Sequence, residues 1–321
     1  MRIAPRYRLW FVALVLAVIH LAVAFASFVS PYDPAEQHRE YPFVPPLRVH
    51  FFDAGGNFHW RPFVFGLLAD GDGYRDATDR LYSLRFFANG RLFRVDEPGQ
   101  VFLFGTDAFG RDQFSRVLYG GRVSLGSGLL ATILTLLVGL TLGSVAGFYA
   151  GWCDTLVMRL AEVFLALPWL YLLLGMRAFL PLSLDPVRTF LLMIAVIGAA
   201  GWARPARLFR GIVLSAKERE YVYAARGFAA SDFHIFSWHI LPDLRSVALT
   251  QATLLIPQYI LAEVTLSFLG LGVGEPAPSW GGMLAPLRET GMLTSHWWLV
   301  LPALVLLPVV MCYYAAIQRV K

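Results

Sequence analysis

The sequence predicts an all-α polytopic membrane protein, six transmembrane helices with a small β-rich extracytoplasmic domain inserted after the first. Three observations carry that expectation. The chain is 57% hydrophobic and 15% charged over 321 residues, more apolar surface than a single soluble core can hide. Three stretches, Leu9–Val29, Val123–Cys153 and Trp297–Gln318, contain no Asp, Glu, Lys or Arg, and each is long enough for the roughly 20 residues that cross a hydrocarbon core. Between the first two lie aromatic-rich segments with the turn residues of paired strands.

Taken in order, the first stretch follows Arg2, Arg6 and Arg8 and ends near "AFAS" (Ala24–Ser27), features shared with a cleavable leader. Its apolar run exceeds the roughly 7–15 residues of a leader, so an uncleaved anchor is expected. "LRVHFFDAGGNFHWRPFVF" (Leu47–Phe65) holds two strands around Gly55-Gly56, and "LRFFANGRLFRV" (Leu84–Val95) two more around Asn89-Gly90, a pair that tolerates positive φ at both positions. Shorter candidates at about Leu160–Met176, Thr189–Ala203 and Val247–Val273 complete the six spans. Basic residues at the N-terminal arm, at Arg319 and Lys321, and in Arg204–Arg245, where seven (Arg204, Arg207, Arg210, Lys217, Arg219, Arg226, Arg245) face four acids (Glu218, Glu220, Asp232, Asp243), set the orientation. They place both termini in the cytoplasm. The expected organisation is residues 1–30 as arm and first helix, 31–118 as the outer region, and 119–321 as a five-helix core with a cytoplasmic loop at about 213–244.

Composition and motif spacing exclude much chemistry. "DGDGYRDATD" (Asp70–Asp79) alternates acids like a calcium loop, but Tyr74, Arg75 and Leu81 occupy the positions of a ligand, the glycine and the bidentate glutamate, so a solvated acidic loop is expected. His38, His50 and His59 form no i, i+4 pair. Cys153 and Cys312 suggest neither a disulfide framework nor a thiol nucleophile. No catalytic, metal or cofactor residue is expected, and no nucleic-acid partner. A P-loop needs Lys-Ser or Lys-Thr after its glycines; the two lysines are Lys217, followed by Glu218, and the terminal Lys321. Two classes remain, a secondary transporter or channel working alone and a subunit driven by a separate motor. Ion-coupled carriers place ionisable groups in the membrane. Here Glu162 follows Arg159 at pairing distance on a helix, and Glu263 suits either packing or a pathway.

The run "EREYVYAARGFAASDFHIFSWHILPDL" (Glu218–Leu244) is polar and helix-friendly between apolar blocks. It predicts a helix–turn–helix stopped by Pro242, which lacks an amide donor. Ala224, Ala225, Ala229 and Ala230 would let another protein approach closely, and they mix with Phe228, Phe233, Phe236 and Trp238. Docking surface and solvated linker are the two readings.

"YVYAARGFAASDFHIFSWHILP" (Tyr221–Pro242) resembles the EAA loop of ATP-binding-cassette importer permeases, with Tyr223 in place of the family's glutamate and Ala229 in place of its glycine. "FGTDAFGRDQFSRVLYGGRVSLGSGL" (Phe104–Leu129), "GFYAGWCDTLVMRLAEVFLALP" (Gly147–Pro168), "AEVTLSFLGLGVGEPAPSWGGML" (Ala262–Leu284) and "SPYDP" (Ser30–Pro34) resemble the dipeptide/oligopeptide/nickel permease group, its second, C-type subunit. The insert between Tyr41 and Val101 is longer than in many members. The resemblance implies the type I importer permease fold, five core helices plus an N-terminal one, in a bacterial inner membrane. It implies docking of an ATPase subunit on Tyr223, Ala224, Ala225, Ala229, Ala230, Ser231, Asp232, Leu241 and Pro242. The implied partners are a second homologous permease, two ATP-binding-cassette subunits that bind ATP and Mg, an extracytoplasmic solute-binding protein and membrane lipid.

Other residues then take roles. In "GTDAFGRD", Gly105 and Gly110 give backbone freedom and Asp107, Arg111 and Asp112 pair locally, as an ordered turn or as a contact for the binding protein. Gly120, Gly121, Gly126, Gly128, Gly139, Gly143 and Gly147 allow close helix approach. Pro276, Pro278 and Trp280 fix an outer turn at headgroup level. Glu263, Ser267, Phe268 and Trp280 are the candidate pathway or gate residues.

Overall fold

The computed structural model describes residues 5–71, 73–179 and 184–317; Arg2, Arg319 and Lys321, used above for orientation, lie outside them. The chain is mostly helical. Helices α1 (Pro5–Ala24) and α2 (Ala26–Val29) precede strands β1 (His50–Phe52), β2 (Phe58–Asp70), β3 (Gly73–Ala88) and β4 (Arg91–Val95). There follow α3 (Gln113–Tyr149), α4 (Gly151–Ala166), α5 (Trp169–Ala178), α6 (Pro186–Gly201), α7 (Ala203–Lys217), α8 (Glu220–Gly227), α9 (Asp232–Ile235) and α10 (Leu241–Phe268). Short helices α11 (Trp280–Leu284) and α12 (Met292–Ser295) lead to α13 (Leu301–Ile317). These elements form two compact units, one of residues 1–12, 125–266 and 310–321, the other of 13–124 and 267–309.

Among the described residues, three helical stretches are long and apolar enough to cross a membrane, Gln113–Tyr149, Asp232–Phe268 and Trp297–Ala316, and the count rises to five if each of two bent pairs is one span. One of the bends has a local cause. Leu167 precedes Pro168 and is extended (φ −81°, ψ 134°), as the proline ring demands, and α4 and α5 diverge there by 97°. α6 and α7 meet at 46°. The apolar part of α1, Trp10–Ala24, is a shorter apolar helix.

In the first unit the lower part of α3 lies backbone to backbone on α7. A Cβ at Gly139 would stand 2.8 Å from that of Pro205, one at Gly143 only 2.3 Å from the Ala206 carbonyl oxygen, and one at Gly147 2.8 Å from that of Arg210. Gly128 meets α10 in the same way, 3.0 Å from the Ile256 oxygen. Gly126 differs, touching only the Phe190 ring edge. Because the obstruction at Gly143 is main chain, Gly143→Ala must move a helix, at about 1–3 kcal/mol. A lowered unfolding midpoint in detergent, with little change for Gly126→Ala, is the expected result.

The second unit holds an antiparallel sheet in the order β1-β2-β3-β4. Asn89 (φ 51°) and Gly90 (φ 74°) turn β3 into β4. Val64, Leu84 and Phe93 pack from the sheet onto Tyr32, Val44, Val101 and Phe102. The acidic run does not form the expected solvated loop. Asp70 pairs with Gly73, and Tyr74, Arg75, Asp76 and Ala77 continue as β3 opposite Ala69, Leu68, Leu67 and Gly66 of β2, with a register shift before Leu81; backbone pairing with β2, rather than burial of most of their side chains, holds the paired residues extended.

Pro242 likewise fails to stop a helix. Phe236–Ile240 is a π turn in which the Leu241 amide donates to the Phe236 carbonyl, five residues back. This wider turn accommodates a residue that has no amide to offer, and α10 runs on from it.

Candidate functional site

The polar segment is built as one piece in the first unit. α8 ends in a Schellman turn, the Ala230 amide donating to the Ala225 carbonyl (3.1 Å) and the Ala229 amide to that of Arg226 (2.9 Å). Ser231 then caps α9, its hydroxyl accepting from the His234 amide at 3.3 Å. Val222, Ile235, Ile240 and Leu244 are buried with Phe148, Phe209, Val213 and Ala216 in a single core. Lys217 Nζ donates to the Phe148 carbonyl (3.0 Å) at the end of α3, and Arg219 pairs with Asp243 at 3.0 Å.

This core sorts the expected docking residues into two faces. Ala225, Ala230 and Leu241 pack inward against it, so a charge at Ala225 would strike the element's own core before any partner. Tyr223, Ala224, Ala229, Ser231, Asp232 and Pro242 are exposed. Beside them Phe228, Phe233 and Trp238 are 89%, 81% and 72% exposed. The outer face is thus a rigid helical knob rimmed with uncovered aromatic rings, the composition of an interface anchor.

Ala229 adopts φ 57°, the left-handed conformation that the Schellman turn requires and that glycine takes freely. Relief of roughly 1–2 kcal/mol of Cβ strain outweighs the roughly 0.4–1 kcal/mol by which glycine loosens the unfolded chain. Ala229→Gly should therefore raise the unfolding midpoint slightly; a fall in midpoint would contradict it.

In the second unit, "GTDAFGRD" forms an ordered turn. Gly105 (φ 75°) and Gly110 (φ 70°) are left-handed, and a Cβ on Gly105 would stand 2.5 Å from the Val44 oxygen. Asp107 accepts from the amides of Phe109 (2.9 Å) and Arg111 (3.0 Å) and from Arg111 Nε (2.7 Å). Two residues outside the local pattern complete a clasp. Glu275 accepts from Arg111 Nη1 at 2.5 Å and from Arg116 Nη2 at 2.9 Å, while Arg116 Nη1 donates to the Pro34 carbonyl. Asp112 does not join this pairing; its carboxylate accepts from the Ser115 amide (2.8 Å) and hydroxyl (2.6 Å).

Burial pushes the Asp112 carboxyl from 3.8 up to about 7, against the Ser115 hydrogen bonds. A raised folded value means that the native state holds a proton the unfolded chain has released. The contribution to stability is full below about pH 4 and is lost as pH rises through about 7. Asp112→Asn keeps an acceptor oxygen without the charge, so its unfolding midpoint should fall less than wild type between acid and mildly alkaline pH; parallel curves would refute this.

Trp280, expected on an outer turn, packs inside the second unit. It is fully buried, its indole donating to the Val117 carbonyl (2.9 Å) and its amide to Ser124 Oγ (3.1 Å), with Gly121 leaving room for the ring. Glu263 on α10 is fully buried in the first unit, Ser267 is buried in the second, and Phe268 has the Arg288 guanidinium over its ring at 5.8 Å. Arg159 and Glu162 pair at 3.0 Å on an exposed surface.

A family model described as "Binding-protein-dependent transport system inner membrane component" matches residues 139–320. The chain is 39% identical over 201 residues to the dipeptide transport system permease protein DppC of Bacillus subtilis (strain 168), covering 63% of this chain and 61% of that protein. It is 33% identical over 296 residues to the di/tripeptide transport system permease protein DppC of Pseudomonas aeruginosa (strain UCBPP-PA14), covering 92% of this chain and 80% of that one. Among solved structures, one titled "Inward facing conformations of the MetNI methionine ABC transporter: CY5 native crystal form" aligns at 17% identity and a TM-score of 0.48 over 65% of this chain and 97% of that chain, too loose to carry a fold argument.

Proposed function

We propose, from the premise that this chain belongs to the family of binding-protein-dependent transport system inner membrane components, that it is the transmembrane permease subunit of an ATP-driven importer for peptides or peptide-like solutes. The observation that carries the reading is the helical knob of α8 and α9, with exposed aromatic rings outside and one continuous core inside, on the segment that resembles a coupling loop. The peptide-transport names of the relatives support the cargo class. In this reading two separate ATPase subunits bind ATP and Mg and dock on Tyr223, Ala224, Phe228, Phe233 and their neighbours. A second permease completes the route and a solute-binding protein delivers cargo.

The chain crosses a bacterial inner membrane six times, α1 included, with both termini cytoplasmic and the inserted sheet outside. ATP closure of the motor pair pushes the knob. Because Val222, Ile235, Ile240 and Leu244 share a core with Phe148 and Phe209, the push passes to α3, α7 and α10 together, and a rigid-body shift exchanges inward for outward access. Glu263 lies on the moving α10.

The test is co-purification of the native complex followed by reconstitution in liposomes. Recovery of ATPase chains and a binding protein, with uptake of peptide only when ATP is supplied, is expected. Uptake by this chain alone would identify a secondary transporter or channel instead.

A further inference from the structure

We propose that the inserted sheet stands on the membrane through an aromatic foot, Phe51, Phe52, Phe58, Trp60, Phe86 and Phe87, seated among the lipid headgroups of the leaflet that the end of α1 reaches. This rests on reading α1 as a span.

Four of the rings, Phe51, Phe52, Phe58 and Trp60, touch one another, and Phe87 touches Phe28. Phe63 of β2 lies opposite Ser83 of β3. Phe58 and Trp60, further back along β2, and Phe86 and Phe87, further on along β3, therefore sit at the same end. Ring centroids of Phe52 and Phe58 are 5.3 Å apart, and those of Phe58 and Trp60 5.5 Å. Despite this clustering the rings are uncovered, Trp60 by 90% and Phe87 by 75%. An aromatic patch of this kind is costly in water and matches the chemistry of a membrane interface, where such rings concentrate.

The position of that end along the membrane protein selects lipid as the occupant. Phe87 lies 6.2 Å, centroid to centroid, from Phe28 at the end of α2, and Arg91 at the start of β4 donates to the Ser30 carbonyl at 3.1 Å. The foot is thus continuous with Phe25 and Phe28, themselves exposed where the first helix ends. Phe87 holds φ 56°, an unusual backbone for an aromatic residue, which sets its ring beside Phe28. Exposed Arg48 and Arg61 flank the rings in sequence and suit lipid phosphates. The opposite end of the sheet, where Asp70 pairs with Gly73, carries the Asp70–Arg75 ion pair with both side chains in solvent. Among the described residues the exposed aromatic rings of the strands thus lie away from that end, beside the exposed Arg85–Asp96 pair, as for a domain resting on a leaflet.

The test uses the full complex in liposomes, with Cys153 and Cys312 replaced by alanine and a single NBD fluorophore attached after Trp60→Cys or, independently, Phe87→Cys. Lipids brominated near the headgroup end of their chains should quench most of the fluorescence at both sites. A label after Asp76→Cys should keep its fluorescence, and one after Leu14→Cys, on α1, should lose it. Bright signal at residues 60 and 87 with quenching at 14 would overturn the foot while leaving the span. Protection of residues 60 and 87 from aqueous iodide only on adding the solute-binding protein would also overturn it, assigning the patch to that protein. A bright signal at residue 14 would remove the span, and the proposal with it.

Discussion

Phe228→Asp is expected to abolish ATP-driven uptake in proteoliposomes while leaving membrane insertion unchanged. Phe228 caps α8 with its ring almost wholly in solvent, so the substitution touches nothing in the core beneath. At an interface, loss of an aromatic anchor costs about 2 kcal/mol or more, roughly a 30-fold weakening, and desolvating an unpaired carboxylate adds to that cost. Recovery of the ATPase subunits in pull-down should fall with uptake, and Phe228→Leu should retain most of both. Wild-type recovery and uptake in the aspartate variant would show that the knob is not the coupling element. Ala225→Glu is the weaker experiment, because that position faces inward and failure would report misfolding as readily as lost docking.

Asp107→Ala should be the most damaging substitution in the second unit. The side chains of Arg111 and Arg116 are 9% and 3% exposed, and Asp107 lies 2.7 Å from one and 3.7 Å from the other. Removing the acid leaves two buried cations to Glu275 alone and orphans two backbone amides, a loss of about 3–5 kcal/mol. Glu275→Ala removes as many ion pairs but from a carboxylate that is 57% exposed, where water already screens the charge, so about 1 kcal/mol is expected. Thermal unfolding in detergent, together with protease sensitivity of the second unit, reads the contrast. Equal effects of the two variants would mean that the clasp is not buried as described.

Much of this was legible because it is written locally. Charge-free runs announce the long helices, Asn89-Gly90 its own turn, and the glycines of α3 the close approach of α7. What was hidden depends on partners distant in sequence. Glu275 meets Arg116 across 159 residues, and no local pattern pairs them. The acidic hairpin was missed because β3 there exposes most of its side chains, so no alternation betrays a strand. Trp280 suits a headgroup belt by residue type, yet Gly121 opens a slot for it. Composition gave the α8–α9 segment its alanines but not their facing, which depends on the Schellman turn at Ala229 and the π turn before Pro242.

The glycine seam between α3 and α7 has a mechanical consequence. Interlocked side chains can ratchet, one row of knobs slipping past another. Where Gly143 lies against the Ala206 carbonyl there are no knobs to slip, and any sliding would drive main chain into main chain. The seam is therefore a weld rather than a bearing. Compliance must reside elsewhere, at breaks such as Leu167-Pro168 and Trp202 where the helical ladder is interrupted.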